Sequence, residues 1–447
     1  MAPARKTPRL TLADFKPETL RGVAGFVRIG QTHRGQWWLL DADNRPFFSC
    51  GVTQVRPAAR PGQGSTADLA APAEPLIEAA ETPDFATATL RRLRAWHVNT
   101  LGAGAAPELL ERGMHYTASV DFARQVPAAT IKLGGALLPD VFDPRWLEAC
   151  DQAAAESCGL QRNREHLIGY FTDYELGWAQ PHAEALFAQV NLAPKNTPRL
   201  ERPSLLQLCL SLEPAFSAYH AAWEFTLAPH AGDLAALARA WEIPLPNKEA
   251  LRQLTLADTP LLSAGYLADN DRFSREFARS YFTTCAAAIR RYDPHHLILG
   301  CAFGGPPGAA VLAECSYPHV DVLSANDYHD TLFERIETYA QAASMPVLLG
   351  EFSWVSDYFT KRPQAGEPRG WTTLERMLGK GRAALERAFT HPALVGYAWH
   401  RWRDQSGDAA PLGHGLVHVD DREAIEHTEL LSDLNSHAER LRRATSP

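Results

Sequence analysis

The sequence predicts an α/β fold, a (β/α)8 TIM barrel with an N-terminal β-hairpin and a helical insertion after strand four. Three observations predict it: eight short apolar runs bounded by turn residues, segments of helical period between them, and a single long break in that alternation. The chain has 447 residues, 45% hydrophobic and 21% charged, which is enough for one large core. Barrels of this kind with insertions run past about 400 residues as one unit.

The elements follow in order. "GFVRIGQTHRGQWWLL" reads as two short strands around an "HRG" turn, and "DADNRP" turns the chain into strand one, "RPFFSCGV". Strand two is Val98 to Gly102, after the helical "PDFATATLRRLRAW", and strand three lies in "HYTASVDFA". "DPRWLEACDQAAAES" is an amphipathic helix leading to strand four, 167–172. The rhythm then breaks from about 179 to 270, where "SLEPAFSAYHAAWEF" and "AGDLAALARAWEIPLPNKEALRQL" are helical and no strand is evident. "FSREFARSYFTTCAAAIRRYDP" is a long helix stopped at Asp293 and Pro294. Strands five to eight are "HHLILGCAF", "VDVLSAND", "MPVLLGEF" and "ALVGYAWHRW", with helices between them. The organisation read from this is an extension and hairpin over 1–44, a barrel over 45–430 and a C-terminal helix or tail over 431–447.

A net charge of −8 argues against nucleic-acid or anionic-membrane partners. The basic clusters "RRLR" and "RLRR" sit in helical patterns and read as solvated faces. Seven cysteines lack ligand-like pairing and read as buried thiols. The first fifteen residues carry no apolar leader, and no run reaches the roughly 18 residues of a membrane span. A cytoplasmic protein is the expectation.

The chemistry gathers at the C-terminal strand ends, where barrel active sites lie. Strand four runs into "TDYELGW", placing Asp173, Tyr174, Glu175 and Trp178 at the mouth. Strand seven, "PVLLGEFSW", brings Glu351 and Trp354 there. Two carboxylates facing across a mouth suit glycosidic hydrolysis: one protonates the leaving oxygen and the other attacks the anomeric carbon. Asn326, Tyr328 and His329 end strand six, and Trp399 and His400 end strand eight. These residues offer rings for apolar sugar faces and directed hydrogen bonds for hydroxyls. A tyrosine donating to the nucleophile would hold it ionised. Carboxylate chemistry of this type requires no metal or cofactor.

These motifs resemble clan A glycoside hydrolases, and within that clan the beta-agarase family, glycoside hydrolase family 50. "GQWWLLDADNRPFFSCGV", "GYFTDYELGW", "RRYDPHHLILGCAF", "VDVLSANDY", "MPVLLGEF" and "LVGYAWHRWRDQ" carry the likeness from about residue 25 to 420. The resemblance implies a retaining barrel enzyme acting on β-linked oligosaccharides, with Glu175 as acid/base and Glu351 as nucleophile. It further implies Tyr328 as the nucleophile's hydrogen-bond partner and Trp399 as a sugar platform. Clan members usually have Asn before the acid/base, where this chain has Tyr174, and relatives tend to carry a larger polar residue at Ala302; both changes point away from agarose. The competing expectations are a carbohydrate-binding barrel that has lost catalysis, and a metal-dependent hydrolase built on "DYHD" and "GHGLVHVDD". Covalent trapping on Glu351 separates the first alternative, and resistance to chelators the second.

Overall fold

The computed structural model describes residues 10–58, 85–125, 130–133, 136–178, 203–257, 259–361, 370–405 and 412–444. Eight parallel strands form the barrel: Ser49–Val52, Thr100–Leu101, His115–Ser119, Leu167–Tyr174, Leu297–Ala302, Leu323–Asn326, Val347–Phe352 and Leu394–Trp399, here strands one to eight. Each pairs with its sequence neighbour, and strand eight pairs with strand one. Between strands five and six Phe303 closes the ring, its N–H donating to Ser324 and its carbonyl accepting from Asn326. Strands five to eight are buried at every position, as expected where helices cover one face of a parallel sheet and core side chains fill the other.

The lead-in hairpin is Arg28–Gln31 and Trp37–Leu40 in antiparallel register, extended by Pro46–Phe47. It is tied to the far end of the chain. Arg442, on the helix Ile425–Ala444, is 1% exposed and donates to the carbonyls of Trp37, Phe389 and His391. Its guanidinium lies over the Trp38 and Phe48 rings, and Gln36 donates back to its carbonyl. Burial pushes the Arg442 pKa down to about 9, and the Glu439 charge acts the other way. That helix begins at Ile425, six residues before the segment assigned to it from sequence.

The predicted insertion falls partly on 179–202, outside the described residues. Its described part holds short helices, Leu205–Leu210, Ser217–Leu227, Leu234–Ala240 and Lys248–Leu256. The long helix starts at Ala264, earlier than its sequence pattern showed, because Ser263 caps it by accepting from the Tyr266 N–H. It ends as predicted at Asp293, whose buried carboxylate accepts from Tyr170 Oη at 2.6 Å and meets His296 Nδ1 at 2.6 Å. These bonds hold that pKa down near 2 against the effect of burial, and they fix the helix end to strands four and five. A second antiparallel hairpin, Thr130–Leu133 with Ala136–Pro139, follows strand three and was not expected. All seven cysteines are buried free thiols.

Candidate active site

The barrel ladder sets the site residues in place. Tyr174 is in register with Ala302, and the Glu175 N–H donates to the Ala302 carbonyl at 2.8 Å. Glu175 has φ +49°, a left-handed conformation that is costly for a residue with a Cβ. The turn ends strand alternation and swings Glu175 over strand five. Asn326 is in register with Glu351, and its Nδ2 donates to Glu175 Oε1 at 2.9 Å. The Asn326 amide thus links the end of strand six to Glu175 beyond strand four, and the backbone register sets it beside Glu351 on strand seven.

The two glutamates have different surroundings. Glu351 is 1% exposed and accepts from Tyr328 Oη at 2.7 Å. Burial, reinforced by the Glu351 charge, raises the Tyr328 pKa well out of the neutral range, so the phenol remains a donor. His400 Nδ1 lies 3.4 Å from Glu351 Oε2 and 3.4 Å from Thr53 Oγ1. Glu175 is more exposed and has the Asn326 amide as its hydrogen-bond donor. Desolvation raises its pKa above the ordinary 4.5, the Glu351 charge raises it further, and Asn326 and His400 act the other way. One carboxyl is held by a hydroxyl donor while the other is biased towards keeping a proton.

Two glycines make room for this arrangement. A Cβ at Gly304 would stand 2.9 Å from Glu175 Cγ and 3.0 Å from its Cδ, and one at Gly350 would stand 2.9 Å from Asn326 Oδ1. Gly304→Ala should therefore displace the Glu175 side chain and lower activity about 10-fold or more. The melting temperature should move little, because the clash is with a flexible side chain; a fully active variant would show that Glu175 need not lie there.

Of the residues singled out from sequence, Glu175, Asn326, Tyr328, Glu351 and His400 converge, with Tyr174 beside them. Others lie elsewhere. Asp173 is 2% exposed and faces the long helix, accepting from Tyr281 Oη at 2.5 Å and the Ala123 N–H at 2.9 Å; burial raises its pKa to about 8. The turn at Glu175 separates the two side chains, which simple alternation would have put on one face. Trp178 packs between Tyr281 and Phe282, and Trp354 donates from Nε1 to His427 on the C-terminal helix. Trp399, expected as a platform, is wholly buried against Trp354 and donates to the His414 carbonyl. These three rings pack the structure and offer the mouth no surface. His329 is occupied by its own loop, through Thr331 and Asp330, and lies on the Tyr358 ring. Thr53 and Gly304 were not anticipated, although a glycine pair after strand five was a visible signal. Among the described residues no group of three or more His, Cys, Asp or Glu could hold a metal ion.

No family profile matches the chain. Beta-agarase A of Vibrio sp. (strain JT0107) is 28% identical over 276 residues, 59% of this chain and 26% of that protein. Beta-agarase B of the same strain is 22% identical over 273 residues, 60% of this chain and 27% of that protein. The chain thus spans about a quarter of the length of the curated relatives it matches. Among solved structures, PfGH50B superposes with a TM-score of 0.70 at 17% identity, covering 94% of this chain and 66% of that one. An exo-beta-agarase gives 0.65 at 19% identity, with the same coverage. BpGH50 gives 0.64 at 15% identity, over 100% of this chain and 91% of that one. The resemblance read from the strand-end motifs is borne out: the chain is similar in sequence to the beta-agarases and shares the fold of the solved agarase structures.

Proposed function

We propose that this protein is a retaining β-glycosidase that hydrolyses β-linked oligosaccharides, agarase- or beta-galactosidase-like, by double displacement. Glu351 attacks the anomeric carbon while Glu175 gives its proton to the departing oxygen. Glu175, now ionised, then takes a proton from water as that water displaces the sugar from Glu351. The observation that carries this reading is the asymmetry of the pair: Tyr328 Oη donates to Glu351, while Glu175 is the carboxyl whose pKa is raised. Opposed protonation states in neighbouring carboxyls are what acid and nucleophile require. The beta-agarase likeness in sequence supports a β-glycoside as substrate.

The test is incubation with an activated 2-fluoro glycoside, followed by mass mapping. A single sugar adduct on Glu351 is expected. Retained sugar binding without any adduct would favour a binding barrel, the reading to which Tyr174, in place of the clan's Asn, lends support. Tyr328→Phe should lower kcat about 10- to 100-fold, the worth of a hydrogen bond to a charged group. An unchanged rate would remove the tyrosine from the mechanism. We further propose a cytoplasmic enzyme that trims short oligosaccharides; faster cleavage of long polymer than of disaccharide would refute the second part.

A further inference from the structure

Asn326 closes strand six as a fixed donor. Its backbone N–H is held by the Phe303 carbonyl at 2.8 Å, and the residue is 3% exposed. Nδ2 donates to Glu175 Oε1 at 2.9 Å, and among the described residues no other group donates to that carboxyl. Oδ1 is buried without a hydrogen-bond partner, and Gly350 stands so near that a Cβ there would lie 2.9 Å from it. The amide oxygen is therefore closed to a ligand in the mouth. An amide placed in this way gives folding one hydrogen bond and costs it one buried, unsatisfied acceptor. Packing does not explain the choice.

The effect on Glu175 does explain it. That side chain leaves a left-handed turn, and Gly304 gives it room without holding it. The amide supplies the contact that fixes it. A neutral carboxyl has one O–H oxygen and one carbonyl oxygen, and the carbonyl oxygen is the one that meets an N–H donor. With Nδ2 on Oε1, the proton of neutral Glu175 sits on Oε2. Once that proton has gone, the same N–H faces an anionic oxygen and the bond strengthens. A reversed amide would set Oδ1 against the ionised carboxylate, so only the donor orientation serves both protonation states.

We propose that Asn326 is a positioning residue that reserves Glu175 Oε2 for proton transfer in both steps, and is not a ligand for the sugar. In the first step Oε2–H gives its proton to the glycosidic oxygen, which keeps the electron pair of its breaking bond to the anomeric carbon. In the second, Oε2 takes a proton from the water whose oxygen bonds to that carbon as Glu351 departs. The inference rests on the glycosidase reading and adds the device that aims its acid.

The experiment measures kcat/KM across pH for wild type, Asn326→Ala and Asn326→Asp, on a disaccharide and on the nitrophenyl glycoside of the same sugar. On the disaccharide each variant should lose about 10- to 100-fold. A nitrophenyl leaving group needs no proton, so the ratio of nitrophenyl to disaccharide rates should rise about 10-fold or more. The titratable groups facing Glu175 are Glu351 from strand seven, His400 from strand eight, Tyr328 beyond strand six and Tyr174 on its own strand. All of them stay in both variants, while the N–H that favours the ionised form is lost. The alkaline limb on the disaccharide should therefore move to higher pH. Asn326→Asp keeps the shape of the side chain and sets an acceptor against Oε1, so its limb should move the same way even if the alanine variant folds poorly. Equal losses on both substrates would make Asn326 a sugar ligand, and a limb that stays or moves to lower pH would leave it a packing residue. Either result overturns the proposal while the glycosidase reading stands. If wild type and Glu351→Gln are alike inert towards every glycoside, the glycosidase reading itself fails, and the proposal with it.

Discussion

Glu351→Gln is expected to remove activity on every glycoside, by about 10⁴-fold or more, irrespective of the leaving group. The amide is close to isosteric and can still face Tyr328, so the pocket survives while the attacking oxygen anion is lost. No better leaving group restores a missing nucleophile. Rates on alkyl and nitrophenyl glycosides, with melting curves to establish folding, check this. Appreciable turnover of a nitrophenyl glycoside by the folded variant would transfer the nucleophile's role elsewhere.

Glu175→Ala should behave differently. On substrates with a sugar leaving group the loss should be about 10²–10⁴-fold, the usual worth of general acid–base catalysis. A nitrophenyl leaving group needs no proton, so the first step should survive and the sugar should accumulate on Glu351, visible as a burst followed by slow turnover. Added azide should restore turnover, because it attacks without a general base. The pH profile carries the same assignment. The Glu175 pKa lies above the ordinary 4.5, so its proton is retained at pH values where a solvated glutamate has lost it. As pH rises through the raised value the acid is lost and kcat/KM falls, giving an alkaline limb that Glu175→Gln should abolish. A limb that persists in that variant would belong to another group.

Much of this was legible in the sequence, for identifiable reasons. The barrel strands are short, buried runs ending in polar residues, and a (β/α)8 closure puts those polar residues at one mouth. The placement of residues at or just past the end of a strand, such as Asn326, Tyr328 and Glu351, could be read from position alone. What could not be read was the direction of side chains near a break in strand geometry. The left-handed backbone at Glu175 turns that glutamate away from the face on which Asp173 meets Tyr281. An aromatic three residues beyond a strand-end glutamate can face either the mouth or a helix, and Trp178 and Trp354 face helices. The pairing of Thr130–Leu133 with Ala136–Pro139 escaped because a Gly-Gly pair inside a β/α alternation reads, in sequence, as an ordinary connecting loop.

The Arg442 clasp on the lead-in hairpin has a consequence for biosynthesis. The guanidinium follows the Trp37 carbonyl it binds by 405 residues. At translation rates of about 5–20 residues per second that interval is roughly 20–80 s. Through all of it the nascent hairpin, with Trp38 and Phe48, lacks the side chain that later covers those rings. The hairpin is therefore secured long after it is made, and until the helix Ile425–Ala444 has left the ribosome its aromatic surface is open to chaperones.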